Sequence, residues 1–279
     1  MFRLSSKSAM LTPRQDYNRR ARRRSIFIAA ASTAAAISLL LLLIPLSPGW
    51  AAVQKSFFNA EIFAKSFPVL LRAFVLDVAI FLWCAPLIAL WGLAIALCRD
   101  ARAPALYPLR LFGALYTDVF RGVPVILIVY LIGFGVPGLG LPRPWNSPYI
   151  WGSLALILTY SAYVAEIFRS GIDSVHASQR SAAASLGLSD WHVMRDVVLP
   201  QAVRRVAPAN MNMLIALQKD VALLSFIGPV EILRQAGVYK SLYANFTPYV
   251  AAAVIFLVVT IPATRFADRM LARQQKQRS

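Results

Sequence analysis

The sequence contains few of the residues that build catalytic, metal or disulfide sites. Only two cysteines, Cys84 and Cys98, and two histidines, His176 and His192, occur in 279 residues. The cysteines share one apolar run, where a helix would separate them by about 21 Å, too far for a disulfide. The histidines lie in one polar stretch with no cysteine beside them, which is not a metal-ligand spacing. We therefore expect no catalytic residue, metal or cofactor in this chain.

Glycine-rich nucleotide-binding loops are also missing. No glycine is followed by lysine, which excludes a Walker A loop. Gly133, Gly135 and Gly138 match the GxGxxG spacing, but Pro137 interrupts them, no strand precedes them and no helix follows. We interpret them as the flexible end of an apolar segment. If this protein does uphill work, the energy must come from elsewhere.

Charged residues are scarce, at 15% of the chain against 58% hydrophobic residues, and the mean hydropathy is +0.60. This balance excludes an ordinary soluble domain. A helix needs about 20 apolar residues to cross a bilayer, whereas barrel strands alternate in polarity. Six continuous apolar runs meet the helix requirement: 26–46, 78–98, 122–142, 144–165, 206–230 and 241–264. Only the fifth run contains charged residues, Lys219 and Asp220. The sequence therefore predicts six membrane-spanning helices.

Acidic residues are the scarcer charge, with 12 Asp and Glu against 29 Lys and Arg, a net charge of +17. The apolar runs divide the polar stretches into two alternating sets, one with 21 basic residues and the other with six. This bias follows the positive-inside rule and predicts that both termini and the stretch 169–205 face the cytoplasm. The basic run 19–24 would then contact anionic lipid headgroups, and we do not expect nucleic-acid binding.

The first apolar run follows a basic tail, residues 1–25, and has two interpretations. A cleavable signal peptide would leave five spans. However, signal peptides have apolar regions of about 7–15 residues, and the PGWAA sequence after this run is a weak cleavage context. We favour a retained anchor, residues 26–65, that comprises a span and an outer loop.

Several ionisable residues lie within or at the ends of the apolar runs. Such residues are costly in hydrocarbon and usually face a bundle interior or an aqueous path. Those near a span end can also reach the membrane interface, but Lys219 and Asp220 have long uncharged stretches on both sides. We expect a translocation path that includes Asp77, Arg121, Glu166, Lys219 and Asp220.

A polar stretch, SQRSAAASLGLSDWHVMRDVVLPQ at residues 178–201, lies between two apolar runs. Gly187 predicts a helix end, and Ser189 predicts the N-cap of a new helix. We expect two short helices, about 177–186 and 190–198, before Pro200 opens the next span. An apolar surface would then be formed by Ala183, Leu186, Trp191 and Met194. It would lie on lipid or fit a groove of another protein.

This stretch resembles the EAA loop of ABC-transporter permeases, whose pattern is Glu-Ala-Ala, three residues, Gly, nine residues, Ile-x-Leu-Pro. The spacing matches throughout, with Ser181 for the glutamate and Val197 for the isoleucine. In a further similar stretch, Val221 and Ala222 replace the Thr-Ser of the family. The stretches similar to permeases of polar amino-acid uptake systems are 117–134, 162–175, 199–212 and 217–232. The resemblance covers about residues 66–265.

The resemblance implies an all-α, polytopic membrane helix bundle. A five-span core of an ABC importer permease, residues 66–265, would follow the extra N-terminal span, and a basic cytoplasmic tail, 266–279, would end the chain. The coupling loop, about 172–199, would dock on a cytosolic ABC ATPase that binds the ATP. Its implied contact residues are Gln179, Ser181, Ala182, Ala183, Leu186, Gly187, Trp191, Leu199 and Pro200.

The resemblance also implies a dimer of ATPase subunits, a second permease subunit and an extracytoplasmic solute-binding protein, in a bacterial inner membrane. A permease for another small nitrogenous solute, such as an opine, remains an alternative. A membrane channel is a further alternative, but a channel would not require the EAA spacing. An embedded enzyme is disfavoured because no His, Cys or paired carboxylates converge.

Overall fold

The computed structural model describes residues 13–101 and 103–276. Within these residues the regular structure is entirely helical, and no strand occurs. The all-α fold class is therefore confirmed. The chain divides into two compact units between Phe58 and Asn59.

In the first unit, the residues from 13 onward form a long helix and a short one. Helix α1 spans Pro13–Leu43, a 3₁₀ turn spans Ile44–Leu46, and helix α2 spans Trp50–Phe57. Pro45 lies in the 3₁₀ turn directly after α1, where a proline cannot continue an α-helix. The apolar part of this unit, Arg24–Leu46, is long enough to cross a membrane.

The described residues of the second unit form nine α-helices. Helices α3 to α6 are Ala60–Asp100, Tyr107–Gly122, Val125–Gly135 and Pro148–Asp173. Helices α7 to α11 are Ala177–Ser185, Asp190–His192, Leu199–Asp220, Ile232–Tyr243 and Thr247–Lys276. Short 3₁₀ segments span Pro104–Leu106, Pro137–Leu139 and Val221–Ile227, and a π-helix spans Val193–Val198.

Four helices of the described residues are long and apolar enough to cross a membrane. The number rises to six if each of two bent helix pairs forms one span. The spanning helix predicted over 122–142 is shorter in the structure, where α5 covers only Val125–Gly135. Helix α4 ends at Gly122, α5 begins at Val125, and the pair is bent by 103°. Pro124 accounts for the break, because a proline disfavours helical geometry in the residue before it, and Val123 is extended.

Two other predicted spans have different limits from those expected. The run 206–230 is not one helix, because α9 gives way to a 3₁₀ segment at Val221, and the chain bends by 53° before α10. Helix α3 is 41 residues long and begins well before residue 78. Its start is fixed by Asn59, whose side-chain oxygen accepts a hydrogen bond from the Ile62 backbone N–H at 3.0 Å.

Helix α6 is the centre of the second unit and packs against α3, α4, α5 and α9. Small residues allow the helices to approach closely, as is common in membrane bundles. A Cβ atom added to Gly92 of α3 would lie 2.7 Å from Val164 Cγ1 of α6. A Cβ atom added to Gly171 of α6 would lie 3.1 Å from the Ala202 carbonyl oxygen of α9. A second cluster joins the first part of α3 to α10 and α11 through Leu70, Phe74, Ile232, Ala236, Ala251, Ala252 and Ile255.

Candidate functional site

The loop segment, residues 177–198, reverses direction at Gly187. Gly187 has φ +83°, in the left-handed region that favours glycine. Its N–H donates to the Ala184 carbonyl at 2.9 Å, and the Leu188 N–H donates to the Ala183 carbonyl at 3.3 Å. These two bonds form a Schellman motif, which satisfies the last carbonyls of α7. The predicted helix stop at Gly187 is thus confirmed.

The second half of the loop segment differs from the predicted α-helix over 190–198. Only Asp190–His192 is α-helical, and Val193–Val198 is a π-helix that continues into α9. Ser189 has extended N-cap geometry, as predicted, but its side chain caps no backbone N–H. Its hydroxyl instead lies 2.7 Å from His192 Nδ1.

The loop segment exposes only part of the predicted apolar surface. Leu186 is 84% exposed and Trp191 is 60% exposed. Ala183 is buried and belongs to the main hydrophobic core together with Val193 and Val198, so its predicted place on the surface is wrong. Two large apolar side chains therefore project from the turn, while smaller ones fix the segment to the bundle.

The remaining predicted contact residues of the loop lie at or near the surface. Gln179, Ser181, Ala182 and Pro200 are exposed, and Leu199 is partly buried. Gln179 Oε1 accepts a hydrogen bond from Gln201 Nε2 at 2.9 Å, which joins α7 to α9. A cleft of about 440 Å³ adjoins this surface, with Leu97, Leu106, Ser181, Trp191 and Met194 in its lining.

A group of charged side chains lies where α3, α4 and α6 meet. Glu166 Oε1 accepts a hydrogen bond from Arg99 Nη1 and lies 3.4 Å from Arg121 Nη1. Arg99 Nη1 also donates to Thr117 Oγ1 at 2.9 Å. Two cations thus surround one carboxylate, and Arg121 is the more exposed of the two, at 42% against 11%. The structure brings the predicted residues Glu166 and Arg121 together.

A row of polar and aromatic side chains, the polar row, continues from Arg121. The Arg121 guanidinium carbon lies 5.9 Å from the centre of the Tyr163 ring, a cation–π distance. The ring centres of Tyr163 and Tyr160 lie 6.3 Å apart. The Tyr160 hydroxyl donates to Asp220 Oδ2 at 2.8 Å. The polar row therefore has a cation at one end and a carboxylate at the other.

The other two predicted path residues lie differently. Lys219 is exposed, and its ammonium makes no hydrogen bond or ion pair with the described residues. Asp77 is 1% exposed, and neither of its carboxylate oxygens has a hydrogen-bond partner in the described part of the chain. Asp77 and Arg99 are separated by roughly 33 Å along α3. Asp77 therefore does not join the charged group around Glu166.

The comparisons with known proteins agree with this architecture. Residues 56–276 match the family of binding-protein-dependent transport system inner membrane components. The chain belongs to this family. The probable amino-acid permease protein YxeN of Bacillus subtilis (strain 168) is 33% identical over 204 residues, which cover 72% of this chain and 89% of the relative. The arginine transport system permease protein ArtQ of the same organism is 31% identical over 223 residues, 78% of this chain and 97% of the relative.

Solved structures of transporters also resemble this permease. A crystal structure of an amino acid ABC transporter with histidines matches with a TM-score of 0.67 and 32% identity, over 75% of this chain and 96% of that one. An inward-facing structure of the MetNI methionine ABC transporter matches with a TM-score of 0.60 over 73% of this chain and 95% of that one. Its identity is only 16%, so it shares the fold alone.

The permease contains site residues that sequence reasoning missed. Arg99 and Thr117 complete the charged group, and Tyr160 and Tyr163 complete the polar row. Spacing gave some signal, because Tyr160, Tyr163 and Glu166 recur every three residues in α6 and must share a face of the helix. Arg99 gave no such signal, because its contact with Glu166 depends on how α3 packs against α6.

Proposed function

We propose that this permease is the membrane subunit of an ATP-driven importer of polar amino acids. The observation that carries the proposal is the loop segment, where a sharp turn at Gly187, the glycine of the EAA spacing, leaves Leu186 and Trp191 exposed. An exposed pair of large apolar side chains beside a basic surface suits docking into a groove of another protein. The names of the relatives, which include amino-acid and arginine permeases, support the substrate class.

The partner at the loop segment is a cytosolic ABC ATPase. The sequence has no Walker A loop, so the permease depends on a separate chain for ATP hydrolysis. Closure of the ATPase dimer would move the loop segment and thereby the spans of two permease subunits. An extracytoplasmic binding protein would deliver the solute. The family description supports an inner-membrane location, and the positive-inside bias supports a cytoplasmic position of both termini and the loop segment.

The polar row is the proposed element of the translocation path. An α-amino acid carries a carboxylate and an ammonium group. Arg121 can pair with the carboxylate at one position and Asp220 with the ammonium at a later one as the solute moves along the row, while the rings of Tyr160 and Tyr163 contact its apolar part. Lys219, the residue before Asp220 in the chain, adds an exposed cation. Asp77 remains a candidate for a separate polar position on the path.

Val221 and Ala222, which replace a Thr-Ser pair of the family, bear on the alternative that the solute is an opine. If the two lost hydroxyl groups had lined the path, their absence would favour an unusual solute. Val221 is 0% exposed and Ala222 is 8% exposed, so both residues contribute to core packing instead. The change therefore gives no support to a solute other than an amino acid.

The test combines ligand screening with transport. The solute-binding protein encoded beside this permease is screened by thermal shift against the standard amino acids and against opines. Proteoliposomes that contain the permease and its ATPase are then assayed for uptake of each ligand that stabilises the binding protein. We expect ATP-dependent uptake of a polar amino acid. Uptake of an opine alone would overturn the substrate class, and uptake without ATP or the binding protein would indicate a channel.

A further inference from the structure

The side chain of Arg180 joins the loop segment to two membrane helices at once. Arg180 lies in α7, and its Nη2 donates to the carbonyl of Ile172, near the end of α6, at 2.8 Å. Its Nη1 lies 3.7 Å from Oδ2 of Asp100, the last residue of α3. We propose that Arg180 is the positioning residue that transmits movement of the loop segment to α3 and α6. This inference rests on the proposed function.

The environment of Arg180 makes these contacts stronger than an ordinary surface ion pair. The side chains of Arg180 and Asp100 are only 15% and 17% exposed. Solvent screening is weak at such sites, and hydrogen bonds from a charged donor are about twice as strong as neutral ones. Both partners also lie at helix C-termini, where a cation interacts favourably with the helix dipole. The last turn of α6 thus gains a donor for the Ile172 carbonyl.

The other polar contacts near the loop segment do not join it to both α3 and α6. The pair of Gln179 with Gln201 is neutral and exposed. Arg205 donates to Ser174, but Ser174 lies between α6 and α7 and not in the loop segment itself. Both of these contacts are made by residues of α9 and not by residues of α3. Arg180 is therefore the one side chain of the described loop segment that hydrogen bonds or ion pairs connect to both α3 and α6.

Guanidinium geometry explains why arginine is needed at this position. The planar group offers five N–H donors in a fixed fork, so it can contact a carbonyl and a carboxylate in different directions. A lysine ammonium would keep the charge, but it is a single point on a flexible stem. Lysine should therefore retain one of the two contacts and lose the fixed geometry of the other.

The experiment uses the assembled permease, ATPase and binding protein in proteoliposomes. Three quantities are measured: ATPase retained on the permease, the rate of ATP hydrolysis, and amino acid taken up per ATP hydrolysed. The variants are Arg180→Gln and Arg180→Lys. The matched control is Arg169→Lys, since Arg169 forms an exposed i,i+4 pair with Asp173 and so ties α6 only to itself.

A transmission role predicts a selective loss. Arg180→Gln should retain the ATPase but lower uptake per ATP by roughly tenfold, within the range seen for residues that couple distant sites. Arg180→Lys should give an intermediate value, and Arg169→Lys should match the wild type. Unchanged uptake per ATP in Arg180→Gln would overturn the proposal. Equal losses in the Arg180 and Arg169 variants, or absence of both Arg180 variants from the membrane, would also overturn it.

A second measurement separates this inference from the proposed function. Hydrogen exchange of the α7 amides is followed in the permease alone, without ATPase or solute. Loss of the Arg180 contacts should speed exchange in α7 by about tenfold and leave the middle of α6 unchanged, because locally held segments open independently. If the wild-type complex imports no amino acid, the proposed function fails. In that case the exchange rate of the α7 amides alone decides whether Arg180 anchors the loop segment, and an unchanged rate in the Arg180 variants would contradict the anchoring.

Discussion

Two glycines, Gly171 and Gly187, occupy different regions of this permease and serve opposite physical needs. Gly171 lies where α6 crosses α9, and an added Cβ atom would collide with Val206 and approach the Ala202 carbonyl. Its backbone is ordinary helix. Gly187 lies in the loop segment, where an added Cβ atom would meet nothing within 4 Å, but its φ is +83°. The first glycine provides space, and the second provides a backbone conformation.

The comparison extends to the regions that contain these glycines. The helix crossings inside the bundle depend on many close contacts between buried side chains, so a change of volume should affect the stability of the whole unit. The loop segment depends on one turn and a few polar contacts. A change there should affect partner binding and transmission while the spans remain inserted. The two regions should therefore respond to different substitutions and through different measurements.

The largest effect is expected from Gly187→Val. Valine at this φ costs about 1–2 kcal/mol, and the turn that projects Leu186 and Trp191 would be distorted. We expect inserted permease that has lost the ATPase, or hydrolysis that no longer drives uptake. Co-elution with the ATPase and substrate-stimulated hydrolysis measure this.

Gly187→Asn is the matched control, because asparagine enters the left-handed region more easily than other side chains. It should retain most of the activity. If the valine variant assembles and responds to substrate normally, the loop segment is only a surface linker. If the asparagine variant fails as badly as valine, space rather than conformation is limiting at Gly187.

Gly171→Ala should destabilise the bundle. Overpacking of a close helix contact costs about 1–3 kcal/mol. Thermal denaturation in detergent should show a lower midpoint for this variant, while any folded protein still binds the ATPase. Gly135→Ala is the control, since an added Cβ atom there meets nothing within 4 Å. Equal midpoints for the two variants would contradict the packing role assigned to Gly171.

Lys219→Met should lower uptake by several-fold without loss of protein from the membrane. Lys219 is exposed and precedes Asp220, which ends the polar row, so its removal changes the charge near that end of the row. Uptake and membrane abundance are compared with Lys65→Met, which removes a cation from an exposed pair with Glu61. A fall in abundance that parallels uptake would instead assign Lys219 to folding or assembly.

Ser181→Glu should have the smallest effect. The side chain is exposed, and surface substitutions of this kind usually change stability by less than about 0.5 kcal/mol. The variant restores the family residue, so ATPase co-elution and uptake should stay close to wild type. A marked loss of co-elution would show that the partner surface is fitted to the serine.

Much of this architecture follows from the sequence, for identifiable physical reasons. The apolar runs and the turn at Gly187 depend on local composition and backbone preference, which can be read directly. The helix break at Pro124 also follows from a local rule, because a proline disfavours helical geometry in the residue before it. The continuous apolar run across this position instead favoured one uninterrupted helix. By contrast, the contacts of Arg180 with Ile172 and Asp100 join three separate helices. Such contacts depend on tertiary packing, which one sequence does not contain.

The central claim is that the loop segment is the docking site of an ABC ATPase, and site-directed crosslinking tests it most directly. Cys84 and Cys98 are replaced by serine, and single cysteines are placed by Trp191→Cys or, as the control on α10, by Ser241→Cys. A thiol-to-amine crosslinker is applied to membranes, and products are identified by mass spectrometry. We predict a crosslink from position 191 to a Walker A-containing ATPase and none from position 241. An ATPase crosslink from position 241, or none from position 191 in actively transporting membranes, would contradict the claim.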